Sequence, residues 1–171
     1  MIAESANYLD RIEDLRSQVS RLIADLPSAA LNWRPLDGNG DDATNSLAVL
    51  AAHIAGAEHF WIGEVIGNHP KTRDRDSEFA AVATNAAELI HMLEKNNSET
   101  REVLSTLSDS DLNDTRRARD RIVPVRWCVL HVIDHTSLHL GHMQITYQLW
   151  AGGKSMPSPP WFERLRTNQD F

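Results

Sequence analysis

In every long segment of this chain the apolar residues recur at spacings of three and four, and nowhere do they alternate with period two for long enough to make a strand. A segment written that way carries an apolar stripe along one side of a helix, and the stripe needs other helices to cover it. Ile2, Leu9, Ile12, Leu15, Val19, Leu22, Ile23 and Leu26 mark a first helix over 3–26 that stops before Pro27. "NWRPLDGNGDDATN" then reads as a loop. Asn45 or Ser46 can cap a second helix over 45–67, with Leu47, Leu50, Ile54, Trp61 and Val65 on one face. Beyond "GNHPKTRDRD", Ser77 can cap a third helix over 78–107. "SDSDLNDTRRARDR" reads as a polar linker with room for one short turn, and Pro124 suits the first turn of a fourth helix over 124–150. "WFERLR" is expected to form a short terminal helix. The pattern predicts an all-α fold in a single domain over 1–171, a four-helix bundle. Its linkers are long enough for an order other than plain up-down-up-down.

Composition narrows the class. Apolar residues make up 42% and charged residues 24% of the 171 positions, the proportions of a soluble globular protein with its own core. The net charge of −7 argues against a broad surface for nucleic acid or anionic membranes. Arg116, Arg117, Arg119 and Arg121 form a local basic run, but no aromatic residue interleaves with them and they read as a solvated loop. The one cysteine, Cys128, excludes an internal disulfide and any CxxC motif, and in "WCVLHV" it reads as a small buried hydrophobe. No run approaches the ~18 apolar residues of a membrane span. The N-terminus is amphipathic without a hydrophobic signal region, so a cytoplasmic location is expected.

The chemistry is concentrated in "HVIDHTSLHLGH", which holds His131, His135, His139 and His142, four of the eight histidines. At about 100° per residue, His135, His139 and His142 fall about 40°, 80° and 20° from His131, one narrow stripe. It flanks the core face made by Val125, Val129, Val132, Thr136, Leu140, Met143 and Tyr147. Histidines at i and i+4 stand one turn apart and can share a divalent metal, given a third ligand from another helix. The second helix offers His53 and His59, six residues or about 240° apart, so both cannot face one site. His53 lies among small residues in "VLAAHIAGAEHFW", which let another helix approach closely, and is the better candidate. His69, in a polar loop, and His91, without a partner at ligand spacing, read as ordinary. "HVIDH" fits the inverted zincin pattern only with Asp134 in place of its glutamate, and Asp134 falls away from the stripe.

With "NWRP", "NSLAVLAAHIAGAEHFWIGEVIG" and "HVIDHTSLHLGHMQITYQLW", the chain resembles the DinB-like superfamily, a group that includes the metal-binding domain of mycothiol-dependent maleylpyruvate isomerase. The resemblance covers roughly residues 5 to 150. It implies an unusual four-helix bundle, often dimeric, holding a divalent metal on three side chains. Carried over by position, the ligands are His53, His135 and His139. His142 stands where many relatives have Gln, which leaves it a supporting or substrate-facing role. His131 becomes the extra histidine, either hydrogen-bonded behind the ligands or simply packed.

The resemblance implies a metal-dependent enzyme that uses a low-molecular-weight thiol, in an S-transferase or isomerase-like reaction. The metal is zinc or nickel first, with iron or manganese open, because three imidazoles discriminate weakly. The expected partners are a small-molecule substrate or thiol and a second copy of the chain, with no nucleic acid and no membrane. Leu130, Leu138 and Ile145 give the last helix an apolar strip for a dimer contact. Two other readings stand beside this one. A metal-dependent hydrolase would need a carboxylate base such as Glu58 or Glu64, both most simply read as solvated charges. A non-catalytic stress-related binding module would close its metal site with His131 or His142. Phe60, Trp61 and Trp150 can line a pocket beside the metal, although aromatics at helical spacing read first as core.

Overall fold

A computed structural model describes residues 1–36 and 44–156. The chain forms α1 (Ala3–Ile23), a short α2 (Ser28–Asn32), and α3 (Leu47–Glu58), which runs on as a π-helical segment (His59–Ile66). Then come a short α4 (Arg75–Phe79), the long α5 (Ala86–Thr106) and the single turn α6 (Asp109–Leu112). An antiparallel hairpin, β1 (Thr115–Ala118) and β2 (Arg121–Pro124), leads into α7 (Val125–Trp150). The expected terminal helix at "WFERLR" lies outside the described residues. No helix among the described residues is long and apolar enough to cross a membrane.

The fold is all-α apart from the hairpin, and four long elements make the bundle. Both α1 and α3 pack against α5 and α7, so α1 and α3 face each other across the diagonal. Chain order and order around the bundle therefore differ, as the long linkers allow. Two apolar clusters fill the interior. One gathers Val19, Ile23, Leu47, Ile54, Leu93, Leu140 and Met143. The other gathers Leu9, Ile12, Ile62, Leu104, Val125, Val129 and Val132. Where they meet, the buried Arg16 of α1 pairs with the buried Glu58 of α3, held also by Asn97 and Thr100 of α5. The core face of α7 is the one its periodicity predicts, with Tyr147 packed at its edge and Cys128 fully buried.

The expected third helix is two elements. Asp74, not Ser77, caps α4 by accepting from the N–H groups of Asp76 and Ser77, and Asn85 caps α5 by accepting from Glu88. Between them Asn32 clamps Ala83 through a pair of bonds at 2.8 and 2.9 Å, holding an extended link that local helix propensity cannot outweigh. The basic linker is the other difference. Ser108 and Asp111 form a capping box on α6, and the strands that follow are four residues each, too short and polar for alternation to mark them.

Candidate metal centre

The small residues Ala52, Ala55, Gly56 and Ala57 around His53 let α4 and α7 come close to α3. His135 and His139 stand one turn apart on α7 and face back toward it. One ring nitrogen of each histidine lies within 4.8 Å of the other two. His53 Nε2 is 3.1 Å from His135 Nε2, and the His135 and His139 rings meet edge to face with centroids 4.4 Å apart. Neighbouring nitrogens bound at 2.0–2.1 Å to one tetrahedral ion lie about 3.3 Å apart, so the donor set and its spacing suit a single divalent cation.

The protonation states suit it too. Burial pushes His135 down to about 3, with the neighbouring imidazoles and Arg73 adding to the effect. Burial takes His139 down to about 4, with His53 and His142 next in weight. His53 is lowered by burial, which outweighs the opposing pull of Glu78. All three are therefore neutral at pH 7 and present lone pairs, the form in which histidine binds a metal.

Glu78 fixes how His53 presents itself. Its Oε2 lies 2.8 Å from His53 Nδ1, so Nδ1–H donates to the carboxylate and Nε2 is left for the centre. Arg73 grips the same carboxylate through Nε and Nη2 at 2.6 and 2.9 Å. Burial alone would raise the Glu78 pKa, but the bonds from Arg73 and His53 win and hold it below the usual range. Glu78 reaches this place because Gly56 has no side chain: a Cβ there would sit 1.9 Å from Glu78 Oε1. The sequence marks neither role directly. The one available signal was a glycine inside a helical pattern, three residues after His53, where a packing reason is the usual explanation.

The remaining candidates take other places. His142 stands outside the trio with its Nδ1 3.3 Å from His139 Nδ1. His131 stacks on Trp127 at 4.7 Å, meets Trp61 edge on, and lies one ring away from His135. Phe60 and Trp61 do line a cleft beside the centre, whereas Trp150 pairs with Trp33. Asp134 is exposed and not among the clustered donors. Glu58 and Glu64 are buried rather than solvated. Arg16 and Thr100 hold Glu58, and the backbone N–H groups of Thr72 and Arg73 donate to Glu64. His59 turns to the other side of its helix and shares the carboxylate of Glu99 with His69, each at 2.7 Å, a pairing that no spacing in the sequence announces.

A model of the DinB superfamily matches residues 11–143. Among solved structures, a conserved protein from Enterococcus faecalis is similar at 15% identity and a TM-score of 0.72, covering 89% of this chain and 99% of its own. A DinB-like protein from Bacillus cereus is similar at 20% identity and a TM-score of 0.66, covering 91% and 94%. No curated protein matches the sequence.

Proposed function

The chain belongs to the DinB superfamily, and from that premise we propose that it is a divalent-metal-dependent enzyme acting on a small molecule with the help of a low-molecular-weight thiol, in an S-transferase or isomerase-like reaction. The observation that carries this reading is the convergence of three neutral imidazoles, two of which, His53 and His135, stand in the wall of an open cleft. A divalent cation held by three neutral ligands supplies a full double positive charge, which lowers the pKa of a thiol and polarises a carbonyl. The chain's own residues do the rest. Glu78 and Arg73 orient His53, while Phe60, Trp61 and Trp127 make one side of the cleft apolar.

Two observations favour this reading over its rivals. A hydrolase needs a carboxylate free to take a proton from water, and Glu58 and Glu64 are both committed to internal partners. A structural metal needs a fourth protein ligand, and among the described residues the donor group has three members, with His131 and His142 outside it. On this reading the partners are a small-molecule substrate and a thiol, and the exposed strip of Leu130, Leu138 and Ile145 is the surface for a homodimer.

Metal content of tag-free protein by plasma mass spectrometry tests the first half. About one divalent ion per chain is expected in the wild type and in His91→Ala, and its loss in His53→Ala, His135→Ala and His139→Ala. Cobalt-loaded protein tests the second half. Cysteine, glutathione, bacillithiol or mycothiol should produce a sulfur-to-cobalt charge-transfer band, and no change with any of the four would remove the thiol from the proposal.

A further inference from the structure

We propose that the cleft beside the three histidines is built for an organic anion: a small molecule with a flat or apolar body and a carboxylate or phosphate at one end. This rests on the metal reading above and names the substrate class for that site. The cleft encloses about 680 Å³ and includes His53 and His135 in its wall, so an occupant reaches two of the three clustered imidazoles. Its apolar side is Phe60, Trp61 and Trp127, and its rim is Arg73, Arg75, Arg119 and Arg121.

The charge balance of that rim is the central observation. The chain carries a net −7, yet the cleft gathers four arginines against a single acid, Asp120. Arg73 is spoken for by Glu78. Among the described residues no carboxylate lies within ion-pair reach of Arg75, Arg119 or Arg121. Their neighbour in the same basic run, Arg116, is paired away from the cleft with Asp111 and Asp114. The hairpin thus sorts the run: some arginines serve the fold, and two are delivered to the cleft. A guanidinium fork reads carboxylate and phosphate oxygens in pairs, and Arg75 and Arg119, each laid over a ring (Phe79 and Phe60), and Arg121 still lack a carboxylate to read.

The backbone carries the same message. Arg119 sits at the hairpin tip with φ 56°, the left-handed region that glycine or asparagine enters freely and a long side chain does not. That conformation holds its guanidinium 5.4 Å from the Phe60 ring centroid, at the cleft wall, with Arg73 5.5 Å from the same ring. Held strain of this kind concentrates at functional sites. An occupant lying along Phe60, Trp61 and Trp127 with its anionic end at the hairpin has its other end beside His53 and His135.

The test uses metal-loaded protein and a matched pair of probes, 4-mercaptobenzoate and 4-mercaptobenzamide, with benzoate and phenyl phosphate as anions lacking sulfur. Calorimetry reads affinity, and the cobalt spectrum reads contact with sulfur. The acid should bind about tenfold tighter than the amide, the scale of one charge-assisted contact. In Arg119→Gly/Arg121→Ser that gap should fall below about twofold with the amide's affinity unchanged, while Arg116→Ser keeps the gap. Thermal melting checks that the double variant is folded, and Arg119→Gly alone, which suits the backbone, serves where it is not. Equal binding of acid and amide overturns the proposal. So does a gap that survives the arginine changes, because Arg119 and Arg121 then do not hold the anion. If neither thiol alters the cobalt spectrum but benzoate or phenyl phosphate binds in an arginine-dependent way, the thiol reading fails and the anion site stands. Whichever of those two binds tighter assigns the carboxylate or the phosphate.

Discussion

At Gly56 a single hydrogen decides whether His53 keeps its partner. Helix interiors disfavour glycine by about 1 kcal/mol relative to alanine, so Gly56→Ala should gain local helix stability and lose room for Glu78. We predict that Gly56→Ala weakens zinc binding by roughly 10–100-fold in competition with a chromophoric chelator, the usual cost of losing the partner behind a ligating histidine. In a Glu78→Ala background the same change should cost almost nothing further, because the carboxylate it displaces is already gone. An additive loss in the double variant would show that Gly56 acts by another route.

At the scale of elements, the buried Arg16–Glu58 pair lies where α3 passes into its π-helical segment and the two apolar clusters meet. Both side chains are nearly inaccessible, at 3% and 2% exposure, so removing one partner leaves a charge in the core. Arg16→Met alone should cost about 3–5 kcal/mol in urea unfolding, and Arg16→Met/Glu58→Leu should recover most of that. If the double replacement is as unstable as the single one, the pair is not what the single variant loses. The π-helical segment is also what a regular wheel cannot anticipate. Its bonds run i to i−5, as from Gly67 N–H to Ile62 O at 2.9 Å, so residues after Glu58 rotate away from positions computed at about 100° per step. Trp61, placed by the wheel on the core face, packs against the edge of the second apolar cluster and also stands in the cleft wall.

At the scale of the whole molecule, the first and last long helices are fastened at one end by Glu4 and Arg126. Arg126 donates to Glu4 through Nε at 2.7 Å and Nη2 at 3.1 Å, and it also reaches Leu112 and Asn113 before the hairpin. Arg126 first, then Tyr8, holds the Glu4 carboxyl down at about 2 from the ordinary 4.5. A lowered folded value means the contribution is fully present above the unfolded value, near 4.5, and is lost as pH falls toward 2. The stability difference between wild type and Glu4→Gln should therefore be constant from pH 7 to 5 and shrink below pH 4.5. A difference that does not change with pH would assign the effect to packing instead. Metal acts on the same scale. Zinc at a hundredfold excess over its Kd adds about 2.7 kcal/mol, which for a chain of this size is a rise of roughly 5–10 °C in Tm. No rise should occur in His53→Ala, and a full rise there would place the cation elsewhere.

Which faces are buried and which histidines share a stripe can be read from the order of residues alone. Those properties follow from the helical period, which acts over three or four residues and needs no partner: the core face of α7, the i, i+4 pair His135 and His139, and the small-residue surroundings of His53. Resemblance across the chain added the family. Features that depend on residues far apart in sequence arise only when the helices pack. The split between α4 and α5 needs Asn32 to hold Ala83, 51 positions away. The orientation of His53 needs Glu78 and the missing side chain of Gly56. The burial of Glu58 needs Arg16 from another helix, and the basic run became a cleft rim only once the hairpin aimed Arg119 and Arg121 at the aromatic wall. Local periodicity is written in each segment. Ion pairs, second-layer hydrogen bonds and the shape of a cavity exist only between segments, where no spacing records them.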